Sequence, residues 1–258
     1  MNRHIRRFGV FAMAAIAASS VTLSAQLRGR DASSLDPANA QPAGRGTNPA
    51  AKTPKDAAPI DLTGYWVSIV SEDWRFRMLT PQKGDFPDFL LNPEGTKVAN
   101  AWDPAKDEAE KDHCKAYGAA NIMRVPGRFH ITWADDRTLK IDTDAGMQTR
   151  LLRFAPPAAP PAPSRQGLSL ARWERKSLRV DTSNLLPGYM QYNGVPASAK
   201  TTIQEYFDVI SEPGGEIWII DDSVITDPTY HVRTIKRSTH LRKQADDKGW
   251  DPQPCIVR

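Results

Sequence analysis

The sequence predicts an all-β fold: an antiparallel meander of about eight to ten strands closed into a barrel. Three observations predict it. Apolar and polar residues alternate with period two over much of residues 59–258, the pattern of strands with one buried face. The joints between these stretches are mostly short and carry Gly, Pro, Asp or Ser, as hairpins require. Several stretches run to about ten residues, and long meandering strands favour closure because it removes exposed edges. A two-sheet sandwich is the competing arrangement.

The elements follow in chain order. Arg3, Arg6 and Arg7 precede an apolar run from Phe8 to Ala18, and small residues lead to Ala25. This is the pattern of a secretory signal over residues 1–25. The run is shorter than the roughly 20 apolar residues that span a bilayer, so an uncleaved anchor is the lesser alternative. Residues 26–58 hold Leu27 and Leu35 but no aromatic residue, Ile, Val or Met. Such a segment buries too little apolar surface to offset the entropy of ordering it, and reads as a disordered linker. A single barrel domain is expected over residues 59–258, which hold all seven Trp.

Within the domain, residues 62–70 read as the first strand. Trp74, Phe76 and Met78, alternating with Arg75 and Arg77, read as another. Asn92-Pro93-Glu94 places an N-cap residue before a Pro at the first helical position. Asp103-Pro104 repeats the signal, so two short helices are expected near residues 93–112. Strands then resume: Phe129, Ile131 and Trp133 alternate with Arg128, His130 and Thr132, and Leu139 and Ile141 with Lys140 and Asp142. Further strands are expected over 147–154, 168–175, 178–184, 201–210, 216–226 and 230–243. Residues 155–163 are Ala and Pro throughout and form a stiff extended loop.

The net charge of +4 comes from the first 58 residues; residues 59–258 carry 26 basic and 27 acidic side chains. A nucleic-acid binder needs a basic face on its folded domain, and this composition does not suggest one. No glycine-rich phosphate loop, His-Glu-Xaa-Xaa-His or Gly-Xaa-Ser-Xaa-Gly occurs, so the chain offers no nucleotide cradle, zincin site or hydrolase elbow. Asp142-Thr-Asp-Ala-Gly146 lacks the later oxygens of a calcium loop and reads as a turn. His113, His130, His231 and His240 show no metal-ligand spacing, so neither metal nor cofactor is expected.

Cys114 and Cys255 are the only cysteines. In an exported chain a lone pair tends to form a disulfide, which here would pin the C-terminal tail to the domain. Two separate thiols, or a metal pair lacking a clear His partner, are the alternatives.

Glu205 is the most suggestive acid. It shares strand parity with Ile203, Phe207 and Val209 and should face inward, where a carboxylate needs a partner. Arg150, His130 or a ligand would serve. The bland alternatives are a structural ion pair with an Arg, or a local bulge that turns Glu205 outward.

Several segments resemble a family of exported bacterial proteins that has no assigned activity. They are Asp61-Leu-Thr-Gly-Tyr-Trp-Val-Ser-Ile-Val70, Cys114-Lys-Ala-Tyr-Gly118, Met123-Arg-Val-Pro-Gly-Arg-Phe-His-Ile-Thr-Trp133 and Thr143-Asp-Ala-Gly146. Leu186-Pro-Gly-Tyr189, Asn193-Gly-Val-Pro196, Gln204-Glu-Tyr-Phe207 and Asp227-Pro-Thr-Tyr230 complete the set. Gly64-Tyr65-Trp66 is also similar to the opening of lipocalin-like barrels. The resemblance implies a barrel around a small-molecule cavity.

The expectation is therefore a periplasmic or secreted lipocalin-like barrel binding a small, mostly apolar or aromatic molecule, with no nucleic-acid partner and no membrane span after cleavage. The expected ligand-binding residues are Glu205, Phe207, Arg150, His130 and Trp74. The alternative is a cofactor-independent isomerase, lyase or hydrolase using Glu205 or a His as general acid–base. A surface module is a third reading and predicts a filled barrel.

Overall fold

The computed structural model describes residues 52–257; the signal and most of the linker expected from the sequence lie outside them. Nine strands form a closed barrel: β1 (Gly64–Ile69), β2 (Arg128–Asp135), β3 (Thr138–Thr143), β4 (Thr149–Arg153), β5 (Leu168–Glu174), β6 (Ser177–Ser183), β7 (Thr202–Ser211), β8 (Ile217–Thr226) and β9 (Ile235–Lys243). Each pairs with its neighbours in the chain, and β9 closes the ring on β1 through Ser68 opposite Leu241.

One contact departs from the expected antiparallel pattern: Thr149–Arg153 and Leu168–Glu174 are parallel. A ring with an odd number of strands cannot alternate direction all the way round. The Ala/Pro run supplies the exception, since residues 154–167 carry the chain back so that β5 starts at the same end as β4. Parallel neighbours need a crossover of this length.

Alternation sorts the side chains. Trp66, Phe129, Ile131, Leu139, Ile141, Leu152, Leu178, Val180, Phe207, Ile219 and Leu241 fill the lumen, each buried. The outer face is charged, with ion pairs such as Arg172–Asp181 and Arg242–Glu216. That arrangement is the inverse of a membrane barrel, whose outer band is apolar. Among the described residues no helix is long and apolar enough to cross a membrane.

The two ends differ. At one, short connections follow β2, β5 and β7. Trp133, Phe154 and Trp173 gather there with ring centroids 5.4–5.6 Å apart. Trp173 Nε1 donates to the Pro54 carbonyl at 2.8 Å, and Lys55 N to Asp136 O. The packed chain thus reaches back to Pro54, several residues before the expected start at Pro59.

At the other end residues 70–127, 184–201 and 227–234 form a cap. Two helices appear where the capping signals place them, α2 (Pro93–Ala101) and α3 (Pro104–Ala109), with Asn92 and Asp103 side chains accepting from Gly95 N and Ala105 N. The strand expected over Trp74–Met78 is instead the single turn α1 (Trp74–Arg77). Its alternation misleads because the buried residue is Arg77, while Trp74 and Met78 are exposed. Arg77 donates from Nη1 to Ile69 O at 2.6 Å and from Nε to Arg124 O at 3.0 Å, which draws it inward. Residues 230–234 likewise precede β9 rather than belonging to it. His231 and His240 therefore do not share a strand: the Asp227 carboxylate accepts from Ser198, Thr201 and Thr229, which bends this stretch into a loop.

Close approaches lock the cap. A Cβ on Gly95 would lie 2.3 Å from Tyr230 O, so α2 packs on the 227–231 loop only through glycine. Gly194 has φ +82° and sits against the Trp102 ring, where a Cβ would come within 2.1 Å. Cys114 and Cys255 form the expected disulfide. It holds the tail beside the β3–β4 turn, where Gln253 N donates to Asp144 O.

Candidate functional site

Two regions concentrate polar chemistry. The first is inside the barrel. Register places Glu205 on β7 and Arg150 on β4 among the inward positions, as their parity predicts. Arg150 grips Glu205 with both arms, Nη1 to Oε1 at 2.9 Å and Nη2 to Oε2 at 2.7 Å. Nη2 also lies 3.4 Å from Thr182 Oγ1. Arg150 and Glu205 are each about 1% exposed. Asp221, opposite Phe207 on the neighbouring strand, completes the group. Burial and the Glu205 charge push its carboxyl well above the usual carboxylate range, with Arg150 opposing.

This arrangement is the structural ion pair. The open space bordered by Glu205, Asp221 and Thr239 is about 10 Å³, enough for about one water molecule. Phe207 is core, packed among the other lumen side chains. The lumen expected to hold an apolar ligand is filled.

The remaining expected site residues lie elsewhere. His130 points outward because it alternates with Phe129 and Ile131. It stacks on Tyr65 at 4.1 Å with Trp250 edge-on to both. Trp74 is 58% exposed on α1 and does not approach Glu205; the helical turn carries it out of the barrel. His231 is buried in the cap with Nε2 near Pro196 O, and His240 lies on the outer face. Among the described residues no group of three His, Cys, Asp or Glu comes together to hold a metal.

The second region is a cleft of about 520 Å³ between the cap and the start of β9, within the range of small-molecule pockets. Phe76, Phe89, Met190 and Tyr192 supply its apolar wall. Arg77, Arg124, Arg233, Lys236 and Arg237 face it against the carboxylates Asp73 and Asp88. Asn193 shapes it by donating from Nδ2 to Gln82 O and Asp85 O, holding the 82–90 loop. Arg124 forms an ion pair with Asp73. Arg237 borders both the cleft and the small lumen space beside Asp221. Burial and the nearby Arg124 charge weaken its hold on its proton, and Asp88 opposes them.

Sequence reasoning missed this cleft. Arg237 carried a usable signal, its parity with Ile235, Thr239 and Leu241. Residues 79–90, 121–124 and 190–192 have no period to read, and the alternation over residues 74–78 points to a strand instead.

No family model matches the chain, and no curated protein or solved structure is significantly similar to it.

Proposed function

We propose that this is an exported protein that binds a small molecule in the cap cleft rather than in the barrel lumen. One observation carries the reading: the lumen is filled, leaving about 10 Å³ beside Glu205, whereas the cleft offers about 520 Å³ on a cross-braced frame. The ligand touches Phe76 and Phe89 with an apolar part, but it is less apolar than the sequence suggested, because charged groups share the wall. A small molecule remains the expected partner, not nucleic acid. Acid–base catalysis by Glu205 gains no such support, since both its oxygens are held by Arg150.

Amide-resolved NMR titration with a fragment library of neutral, anionic and cationic members tests the site. Shifts are expected to cluster on residues 73–90, 121–124, 190–192 and 233–238. Perturbations confined to other surfaces, or no binding by any class, would overturn the reading. Export supplies the oxidising compartment that suits the Cys114–Cys255 disulfide. Mass analysis of protein released from the periplasm is expected to show a chain beginning near Gln26; a chain retaining Met1 in the cytoplasm would count against it.

A further inference from the structure

We propose that the cleft selects a small organic oxyanion, a carboxylate or a phosphate monoester on a body of about one ring, with Arg237 as its principal cation. This rests on the reading of the cleft as the binding site and names the ligand chemistry it takes.

The argument begins with the backbone. Arg237 occupies an inward position of β9, opposite Ser223 of β8, but near the barrel mouth, so its long side chain rises among the cap loops. There its guanidinium lies over the Phe89 ring, 4.7 Å from the centroid. Its one hydrogen bond among the described residues is long, Nη1 to Met190 O at 3.4 Å. Among the described residues no carboxylate forms an ion pair with it. The other inward arginine, Arg150, is satisfied by a carboxylate on both arms. Asp88 lies near enough to act on Arg237 electrostatically but does not pair with it. A half-buried cation left without a bonded counter-ion is costly, and an entering anion reduces that cost.

The surroundings favour the same occupant. Arg233 and Lys236 stand exposed on the rim and add positive potential without blocking the opening. Gln191 also lines the cleft, and its carboxamide oxygen is buried with no hydrogen-bond partner. A planar guanidinium carries its N–H groups in the fork that carboxylates and phosphates match. A ring next to the anion would meet Phe76 and Phe89.

Three probes of similar body separate the possibilities: benzoate, phenyl phosphate and benzyl alcohol, titrated at low salt into the full mature chain with NMR readout. The two anions, or one of them, are expected to shift Arg237 and its neighbours more strongly than the alcohol, and the stronger anion identifies the head group. Arg237→Gln is expected to weaken the anion by about ten- to a hundredfold and leave the alcohol unchanged. Because Arg237 also packs on Phe89, a second variant guards against misfolding. Arg233→Glu with Lys236→Glu alters only exposed side chains and should weaken the anion, as should added salt. The proposal is overturned if the alcohol binds as tightly as the anions, if neither anion binds while other fragments occupy the cleft, or if both variants leave anion affinity unchanged. Failure of every fragment to reach the cleft would instead remove the underlying reading of the site.

Discussion

Arg150→Met is expected to unfold the protein or bring it close to unfolding. Among the described residues the guanidinium is the only cation within bonding reach of Glu205, and all its carboxylate contacts lie inside the barrel. Removing it leaves the Glu205 carboxylate in the lumen without its ion-pair partner. Breaking one side of a buried pair costs about 3–5 kcal/mol, a large part of the roughly 5–15 kcal/mol that holds a domain together. Replacing both partners, Arg150→Met with Glu205→Leu, should recover most of the loss, because matched apolar groups remove the uncompensated charge. Asp221 adds a pH signature. Its folded carboxyl titrates above its unfolded one. The folded state thus keeps a proton that the unfolded state releases. The stability this contributes is fully present below the ordinary carboxylate range and is lost as pH rises through the folded value. Asp221→Asn mimics the protonated acid and should flatten that decline. Thermal melts across pH check the set; an Arg150→Met protein melting like the native one would refute the account.

The second large effect is expected from the disulfide. Cys114 and Cys255 are 141 residues apart in sequence. Cross-linking so distant a pair restricts the unfolded chain, an effect of about 5 kcal/mol in the chain-entropy estimate and about 2–5 kcal/mol when native bridges are removed. Cys255→Ser should lower the melting temperature and loosen the end of the tail, which besides the bridge is held by Gln253 and Pro254 pairing with Ala145 and Gly146 and by Ile256 N–H donating to Tyr117 Oη. Reductant should do the same to the native protein and nothing further to the variant. Equal melting temperatures with and without reductant, with the tail still protected from carboxypeptidase, would show that the tail is held by packing instead.

Much of the barrel was legible because a strand with one buried face writes its geometry into every second residue. Phe129, Ile131 and Trp133 read correctly, as did Glu205 with Phe207, because their neighbours alternate without interruption. The helix starts at Asn92 and Asp103 were legible for a different reason: capping is a local hydrogen bond between residues two or three apart. Trp74 to Met78 failed because exposed apolar residues can imitate a strand when an arginine takes the buried place. His130 was assigned a role that its own parity argued against. The parallel contact between β4 and β5 was not legible, since it follows from the count of strands around the ring and not from any segment. The cleft was hidden for a related reason. Its walls come from loops joined by tertiary bonds such as Asn193 to Gln82 and Asp85, and no periodicity records those. Asp221 and Arg237, which share parity with Ile219 and Leu241, were readable but overlooked.

The bridge between Cys114 and Cys255 also divides the molecule topologically. The covalent ring it closes contains β2 to β9 and leaves β1 outside, although β1 sits between β2 and β9 in the wall. A protease that cuts the exposed Ala/Pro segment, residues 155–163, therefore leaves one covalently joined molecule until a reductant is added. A cut in the exposed stretch near Lys83 and Gly84 has a different result. It separates the piece bearing β1, which then stays in place through non-covalent contacts alone: its backbone pairing with the strands on either side, the packing of Trp66, and bonds such as Arg77 to Arg124 O and Trp173 to Pro54 O.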